Sequence, residues 1–372
     1  MSVKNFETRS LKDPDFSNEI KAIRSYHLSK IKKKEVLSVK YWIEQDRLLK
    51  GIGKALTIIL PTKGCSWALS KSGGCSMCGY INDAVKYGAK SVCDSEKLVY
   101  EFEKTLKNNL DKEFEALKIF TSGSFFDESE LSKEAQKKIF ETISTYKNVS
   151  EVVVESRPEY VTSEKIEETV NILNGKTLEV GIGLETSNDI VRSRCINKGF
   201  SFQDFSKVVH EIIDGEARVK AYILIKPPFL SEKEAINDAI KSAIDASKVG
   251  AKSISFNPCN VQSGTLVEKL WKNKSYRPPW LWSIIEVLKK SFNKIKSDVD
   301  RIICDPVAGG KSRGSHNCGK CDKKVLQAIR KTSLNQDPEM LGAVCDCYEV
   351  WKTFLEYEAF SQDPDPSFIL SL

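Results

Sequence analysis

The sequence predicts an α/β fold, a parallel sheet curved into a partial (β/α)6 barrel, with an N-terminal helical extension and a Cys-rich, metal-binding C-terminal region. Three observations carry that prediction. Between about residues 54 and 260, short β-branched apolar runs alternate with charged amphipathic stretches of helical period. Polar and turn residues gather at the C-terminal ends of those runs, as TSGS, ESRPE, LETSND, KPPF and NPCN. The loop after the first run also carries three cysteines. Near-continuous apolar strands suit an open doubly wound sheet as well as a barrel. The converging polar ends favour the barrel, because its loops meet over one mouth while its helices pack outside.

In chain order, residues 1–53 read as a basic helical extension. Six strands follow, at 54–62, 116–124, 150–158, 177–186, 218–228 and 251–260. The helices between them fall at 95–110, 129–147, 162–173, 201–214 and 231–250. Several open on Ser or Thr with Glu in the first turn, which is N-cap chemistry. The core unit is therefore 54–299, and the alternation stops in a Gly-rich, Cys-rich region at 300–372 that starts near CDPVAGGKSRGSHNCGKCDKK.

No apolar run in the 372 residues approaches the length of a membrane span, and the charged start MSVKNFETRSLKDPDF has no secretory pattern. A cytoplasmic, reducing compartment is expected, with no membrane partner. Eleven cysteines there read as metal ligands rather than disulfides. Eight are grouped: Cys65, Cys75 and Cys78, then Cys304, Cys318, Cys321, Cys345 and Cys347. Cys93, Cys195 and Cys259 are isolated and read as buried apolar thiols, and His27 and His210 as structural helix residues. The net charge of +6, from 57 Lys and Arg against 51 Asp and Glu, is too mild to name a partner. Its distribution says more: 21–42 and 272–280 are basic, with Tyr26, Tyr41 and Trp42 in the first and Trp282 just beyond the second. Such stretches are either solvated faces or contacts to RNA phosphates and bases.

Three thiolates leave a tetrahedral zinc one ligand short, but they leave one iron of a [4Fe–4S] cluster open to a small molecule. The expected occupant is S-adenosylmethionine, whose sulfonium carbon–sulfur bond an electron from the cluster can split. A zinc site completed by a distant fourth ligand is the alternative.

The segments GCSWALSKSGGCSMCGY, TSGSFFD, VESRPEY, GLETSND, ILIKPPF, SFNPCNVQSGTLVE and DPVAGGKSRGSHNCGKCD carry a resemblance over about 50–350. Together they resemble the radical SAM superfamily, in its Elongator catalytic-subunit-like branch, and are similar to the family of radical SAM subunits of archaeosine synthases. The resemblance implies a cluster on Cys65, Cys75 and Cys78, Met77 against the adenine, and the backbone near Tyr80 meeting its amino group. It also places Ser122, Gly123 and Ser124 where the superfamily carries Gly-Gly-Glu around the methionine amine. Glu155 and Arg157 are two apart at a strand end and so share a face. Arg157 suits the methionine carboxylate through a bidentate fork, unless it merely pairs with Glu155. Glu185 is a candidate for ribose or substrate, and Lys226 and Asn257 for substrate contacts.

The implied reaction is a lyase step on tRNA: a 5′-deoxyadenosyl radical cleaves the lysine C–N bond of a lysine-adducted 7-cyano-7-deazaguanine base, forming archaeosine. Implied partners are tRNA, a lysine-attaching subunit and a one-electron reductant. The competing readings are another radical SAM tRNA-modifying enzyme and a zinc-bearing RNA-binding protein without catalysis.

In the C-terminal group, Cys318-x2-Cys321 and Cys345-x-Cys347 offer two chelating pairs, the usual build of a closed zinc site. Cys304 and His316 are alternates, and an auxiliary iron–sulfur cluster is the rival metal. Gly309, Gly310, Lys311 and Arg313 read as an RNA-backbone or barrel-closing loop.

Overall fold

The computed structural model describes residues 14–34, 39–90, 94–109 and 111–361. Cys93 and the end of the 95–110 helix therefore lie outside the described residues. Eight strands form one sheet in sequence order: β1 (Lys40–Leu48), β2 (Gly51–Ile59), β3 (Ala116–Phe120), β4 (Glu151–Ser156), β5 (Thr177–Glu185), β6 (Arg218–Ile225), β7 (Ser253–Pro258) and β8 (Arg301–Cys304). β1 pairs antiparallel with β2, and every later neighbour pairs parallel. A sheet whose order follows the chain, with a helix in each crossover, curves into the expected partial barrel.

Two strands beyond the expected six extend it. Among the described residues the N-terminal segment is helical over Pro14–Ser29, while KYWIEQDRL, rich in aromatic and β-branched residues at its start, folds back through Leu49 and Lys50 onto β2 as a hairpin. At the other end RIIC continues the sheet as β8, so the C-terminal region starts as part of the barrel. Helices Asp322–Asn335 and Cys347–Ser361 then bury Val325, Ile329 and Trp351 in the same apolar core.

The helix starts are chemically fixed. Ser132, Thr162, Ser201 and Ser231 each accept a backbone N–H of their first turn, and the last two complete capping boxes with Asp204 and Glu234. Strand patterning departs from the near-continuous apolar reading. Leu178, Val180, Ile182 and Leu184 face the helices, while Glu179, Gly181, Gly183 and Glu185 face the lumen. β6 repeats this, with Val219, Ala221 and Ile223 outward and Lys220 and Tyr222 inward. The lumen is thus polar.

Its floor is a charge network. Arg301 reaches Glu151 at 3.0 Å and Glu179 at 2.6 Å, Lys220 reaches Glu179 at 2.8 Å, and Lys118 pairs with Asp46. Arg301 also donates to the carbonyl of Arg47 on β1, drawing the first and last strands together at that end. Chemistry is left to the opposite, C-terminal end.

Candidate active site

The loop after β2 crosses that end. Gly73 adopts φ +72°, and a Cβ there would lie 2.6 Å from Cα of Lys21, so the loop passes tight beneath the N-terminal helix. Arg24 of that helix donates from Nη2 to the carbonyls of Cys75 (3.0 Å) and Cys78 (2.9 Å). From the other side Asn197 donates to the carbonyls of Ser72 and Gly74, both at 2.8 Å, and Ser76 donates to the carbonyl of Cys195. The loop is held by backbone carbonyls, which leaves its thiols uncommitted.

Cys75 is buried, and Cys65 and Cys78 are partly so. Burial pushes the Cys65 thiol up to about 12, and the neighbouring Cys75 and Cys78 act in the same direction. Burial and Cys75 likewise raise Cys78. Thiols such as Cys65 and Cys78, held protonated by burial and by neighbouring sulfur, suit a cationic metal group, which releases their protons on binding. Among the described residues only Cys318, Cys321, Cys345 and Cys347 bring three or more potential ligand atoms within 4.8 Å of one another, so the three loop sulfurs stand more widely spaced. Wide spacing fits a cluster whose thiolates sit on separate irons.

Gly123 forms the adjacent wall. A Cβ there would lie 2.6 Å from Cα of Cys65 and 2.0 Å from Oε1 of Glu130, so only glycine fits. Ser124 donates its backbone N–H to Glu130 (3.1 Å), and its hydroxyl accepts the N–H of Arg157 (3.1 Å). Ser122 is half-buried beside them. The residues present therefore fit a thiolate-held cluster: three free sulfurs, a glycine at the adjoining wall, and the buried Arg24, whose Nε and Nη1 have no hydrogen-bond partner among the described residues.

Glu130, which the sequence reading missed, is the buried carboxyl here. It accepts Thr62 Oγ1 at 3.0 Å, and burial plus the Asp127 charge push its pKa up to about 7. Its signal was faint, the third acid in DESE, six residues beyond Ser124.

Other expected residues sort cleanly. Glu155 lies within the lumen, hydrogen-bonded to Tyr222, and burial raises its pKa. Glu185, at φ +64°, is bound by Lys198 at 2.7 Å. Arg157 does not pair with Glu155; its Nε donates to Glu159 (2.6 Å), and its guanidinium lies 4.9 Å over the Trp67 ring. Asn257 is half-buried, in the lumen-facing register of Ser253 and Ser255. Met77 packs into the apolar group containing Cys75, Leu224 and Cys259. Tyr80 is exposed and hydrogen-bonded to Gln262.

Lys226 corrects the expectation of a substrate contact. Its ammonium is buried between Glu232 (2.6 Å) and Glu358 (3.7 Å), so it serves the docking of the C-terminal helix. In and beside the 272–280 stretch, two aromatic rings are withdrawn from the surface, while Trp280 is half-buried under the Arg277 guanidinium at 4.0 Å. Tyr276 is buried and donates to the carbonyl of Lys226, and buried Trp282 donates to Cys347, so neither offers a stacking surface. Arg313 ties its loop to the carbonyl of Val261 (3.0 Å) and to Glu268 (2.6 Å), which is barrel closure. Isolated Cys259 is buried as expected, and Cys195 is half-buried.

The C-terminal thiols are gathered tightly. Cys318 lies 3.9 Å from Cys321 and 3.7 Å from Cys345, and Cys321 lies 3.6 Å from Cys347, sulfur to sulfur. Cys304 is elsewhere, on β8, where its N–H donates to Ser333, and His316 Nδ1 faces the carbonyl of Gly314 at 2.8 Å. Neither alternate joins the group.

No protein-family model matches the chain. It is 43% identical over 322 residues to an archaeosine synthase subunit beta of Methanosarcina acetivorans, covering 86% of this chain and 90% of that protein. It is 40% identical over 320 residues to an archaeosine synthase subunit beta of Thermococcus kodakarensis, covering 85% and 96%. Among solved structures, an N-terminally deleted Elp3 of Methanocaldococcus infernus aligns with TM-score 0.46 and 17% identity, over 63% of this chain and 59% of that one. The chain belongs to the archaeosine synthase subunit beta family.

Proposed function

We propose that this protein is a radical SAM lyase acting on tRNA. It would cleave the lysine C–N bond of a lysine-adducted 7-cyano-7-deazaguanine base and leave archaeosine. The observation that carries the reading is the loop of three free, widely spaced thiols at the mouth of a polar barrel, in a chain of this family. A [4Fe–4S] cluster with S-adenosylmethionine on its open iron supplies one-electron cleavage of the sulfonium and hence a 5′-deoxyadenosyl radical. Cys65, Cys75 and Cys78 would hold that cluster. Gly123 would let the ligand approach the loop backbone, Met77 and Tyr80 would flank the adenine, and Arg157 would meet the carboxylate.

The lumen residues Glu155, Glu185 and Asn257 would orient the lysine part, whose amine and carboxylate need charged and hydrogen-bonding partners. The target base must leave its place in the folded RNA to reach them. A cleft of about 650 Å³ opens beside Cys78, lined by Tyr80, His27, Lys30, Lys32 and Lys86, and offers phosphate and base contacts along that approach. Such contacts make affinity fall steeply with salt. A lysine-attaching subunit would supply the adduct, and a cytoplasmic one-electron donor the electron.

The tetrad Cys318, Cys321, Cys345 and Cys347 would hold zinc. A zinc–sulfur bond near 2.3 Å in a tetrahedron sets sulfurs about 3.8 Å apart, the separation found here, whereas an iron–sulfur cube spreads its thiolates over different irons. The N–H groups of Trp282 and Asn317, at 3.2 and 3.4 Å from Cys347 and Cys321, suit thiolate acceptors.

The test is anaerobic incubation of the reconstituted protein with S-adenosylmethionine, reductant and lysine-adducted tRNA, read by nucleoside mass spectrometry. A formamidine product together with 5′-deoxyadenosine is expected. A methylthio or acetyl addition, or 5′-deoxyadenosine made equally well after Cys75→Ala, overturns the proposal.

A further inference from the structure

The N-terminal helix supplies a buried cation, Arg24, that forms no ion pair with a carboxylate among the described residues. In PDFSNEIKAIRSYHLS, Arg24 follows Phe16 and Ile20 at intervals of eight and four, so it falls on the helix face that packs against the barrel. It is 3% exposed. Nη2 is committed to the carbonyls of Cys75 and Cys78, while Nε and Nη1 are buried without a hydrogen-bond partner among the described residues. Unmade hydrogen bonds on a buried guanidinium are costly, and evolution rarely leaves two. The apolar group around it includes Phe16, Ile20, Cys75, Leu224 and Val261, so its charge is weakly screened.

We propose that Arg24 sets the electron affinity of the cluster held by Cys65, Cys75 and Cys78, with its two unpartnered nitrogens, Nε and Nη1, donating N–H to sulfur of that cluster or of its thiolates. The inference rests on the function proposed above. Reduction adds one electron from a low-potential one-electron donor; no bond forms or breaks and no proton moves. A fixed positive charge beside the cluster favours the form carrying one more negative charge, and hydrogen bonds to sulfur act in the same direction. The guanidinium remains protonated at any working pH, so the effect does not titrate away. Arg24 is thus a positioning residue through its Nη2 and an electrostatic one through Nε and Nη1.

The experiment uses the full chain, reconstituted anaerobically, as wild type, Arg24→Met and Arg24→Lys. Iron and sulfide are counted, and the midpoint potential of the three-cysteine cluster is followed by EPR. Arg24→Met with native iron content is expected to reduce at a more negative potential, and Arg24→Lys, which keeps the charge, to recover much of the difference. A loaded Arg24→Met cluster with the wild-type potential overturns the proposal. If Arg24→Met takes up no iron, the decision passes to chains labelled with ¹⁵N-arginine. The reduced wild-type cluster should show a ¹⁵N hyperfine coupling that Arg24→Lys lacks, and identical spectra overturn the proposal. A wild-type chain that assembles no cluster on these cysteines sinks the parent reading as well, whereas an assembled cluster indifferent to Arg24 sinks this inference alone.

Discussion

The two cysteine groups are built on opposite plans. The C-terminal tetrad brings four sulfurs within 4.8 Å, with side-chain N–H groups already aimed at two of them. Its ligands come from a turn at the start of the Asp322–Asn335 helix and from the start of the Cys347–Ser361 helix, so closing it staples two helices to the barrel. The loop triad offers three sulfurs that do not converge as the tetrad's do, on a backbone pinned by Arg24 and Asn197. A full shell of close thiolates stabilises structure, whereas an incomplete and wider one leaves room for chemistry. Their positions agree, since the triad lies in the loop that follows β2 at the C-terminal end of the sheet, and the tetrad joins the starts of two helices late in the chain.

The largest expected effect separates them completely. Cys75→Ala should abolish iron uptake at the mouth and production of 5′-deoxyadenosine while leaving about one zinc per chain, by metal analysis. Zinc lost together with iron would mean that the two groups are not independent. Next comes Cys318→Ser, expected to release zinc and to expose the tail to limited proteolysis. Structural zinc can supply on the order of 10 kcal/mol to a small site. Here the burial of Val325, Ile329 and Trp351 in the barrel core should retain part of the fold. Iron at the mouth should remain at the wild-type level. A smaller effect is expected of Gly123→Ala, whose methyl would press on the Cys65 backbone. Iron incorporation should fall several-fold with zinc unchanged, and full incorporation would remove the argument that only glycine fits this wall.

Which parts were legible follows from the kind of signal each leaves. The six parallel strands and five helices were readable because short β-branched apolar runs alternate with charged stretches of helical period, and Ser or Thr caps mark the helix starts. β1 and β8 were not: one lies within a basic segment and has neither an alternating nor a continuous apolar pattern, and the other is only four residues long. The cysteine groups were visible as spacing, but which four of six C-terminal candidates converge is a tertiary matter, decided by Cys304 lying on a strand. Lys226 misled because a lysine at a strand end looks like a mouth residue until Glu358 arrives from a helix far along the chain. Arg24 and Glu130 were hidden for the same reason, since their partners lie 51 to 68 residues away. Arg24 did leave one trace, a charge on the apolar face of its helix.

The smallest expected effect on either metal site belongs to Glu179→Gln, at the lumen floor. Burial opposes ionisation of Glu179, but Lys220 and Arg301 more than offset it and hold the carboxyl below its usual range. A folded pKa depressed below the unfolded value of about 4.3 gives stability that is present above that pH and lost as pH falls through the folded value. Glutamine cannot titrate, and it leaves Lys220 and Arg301 short of a counter-charge, which for a broken buried pair costs about 3–5 kcal/mol. Denaturant unfolding at a series of pH values should therefore show a large deficit near neutrality that narrows below about pH 4, where the wild type loses the same interaction. A deficit independent of pH would show that the carboxylate charge is not what holds the floor. Iron and zinc contents should stay at wild-type levels while the variant is folded. If either falls, the floor and the mouth are mechanically coupled, and the separation between the two ends of the barrel is weaker than the distances and hydrogen bonds indicate.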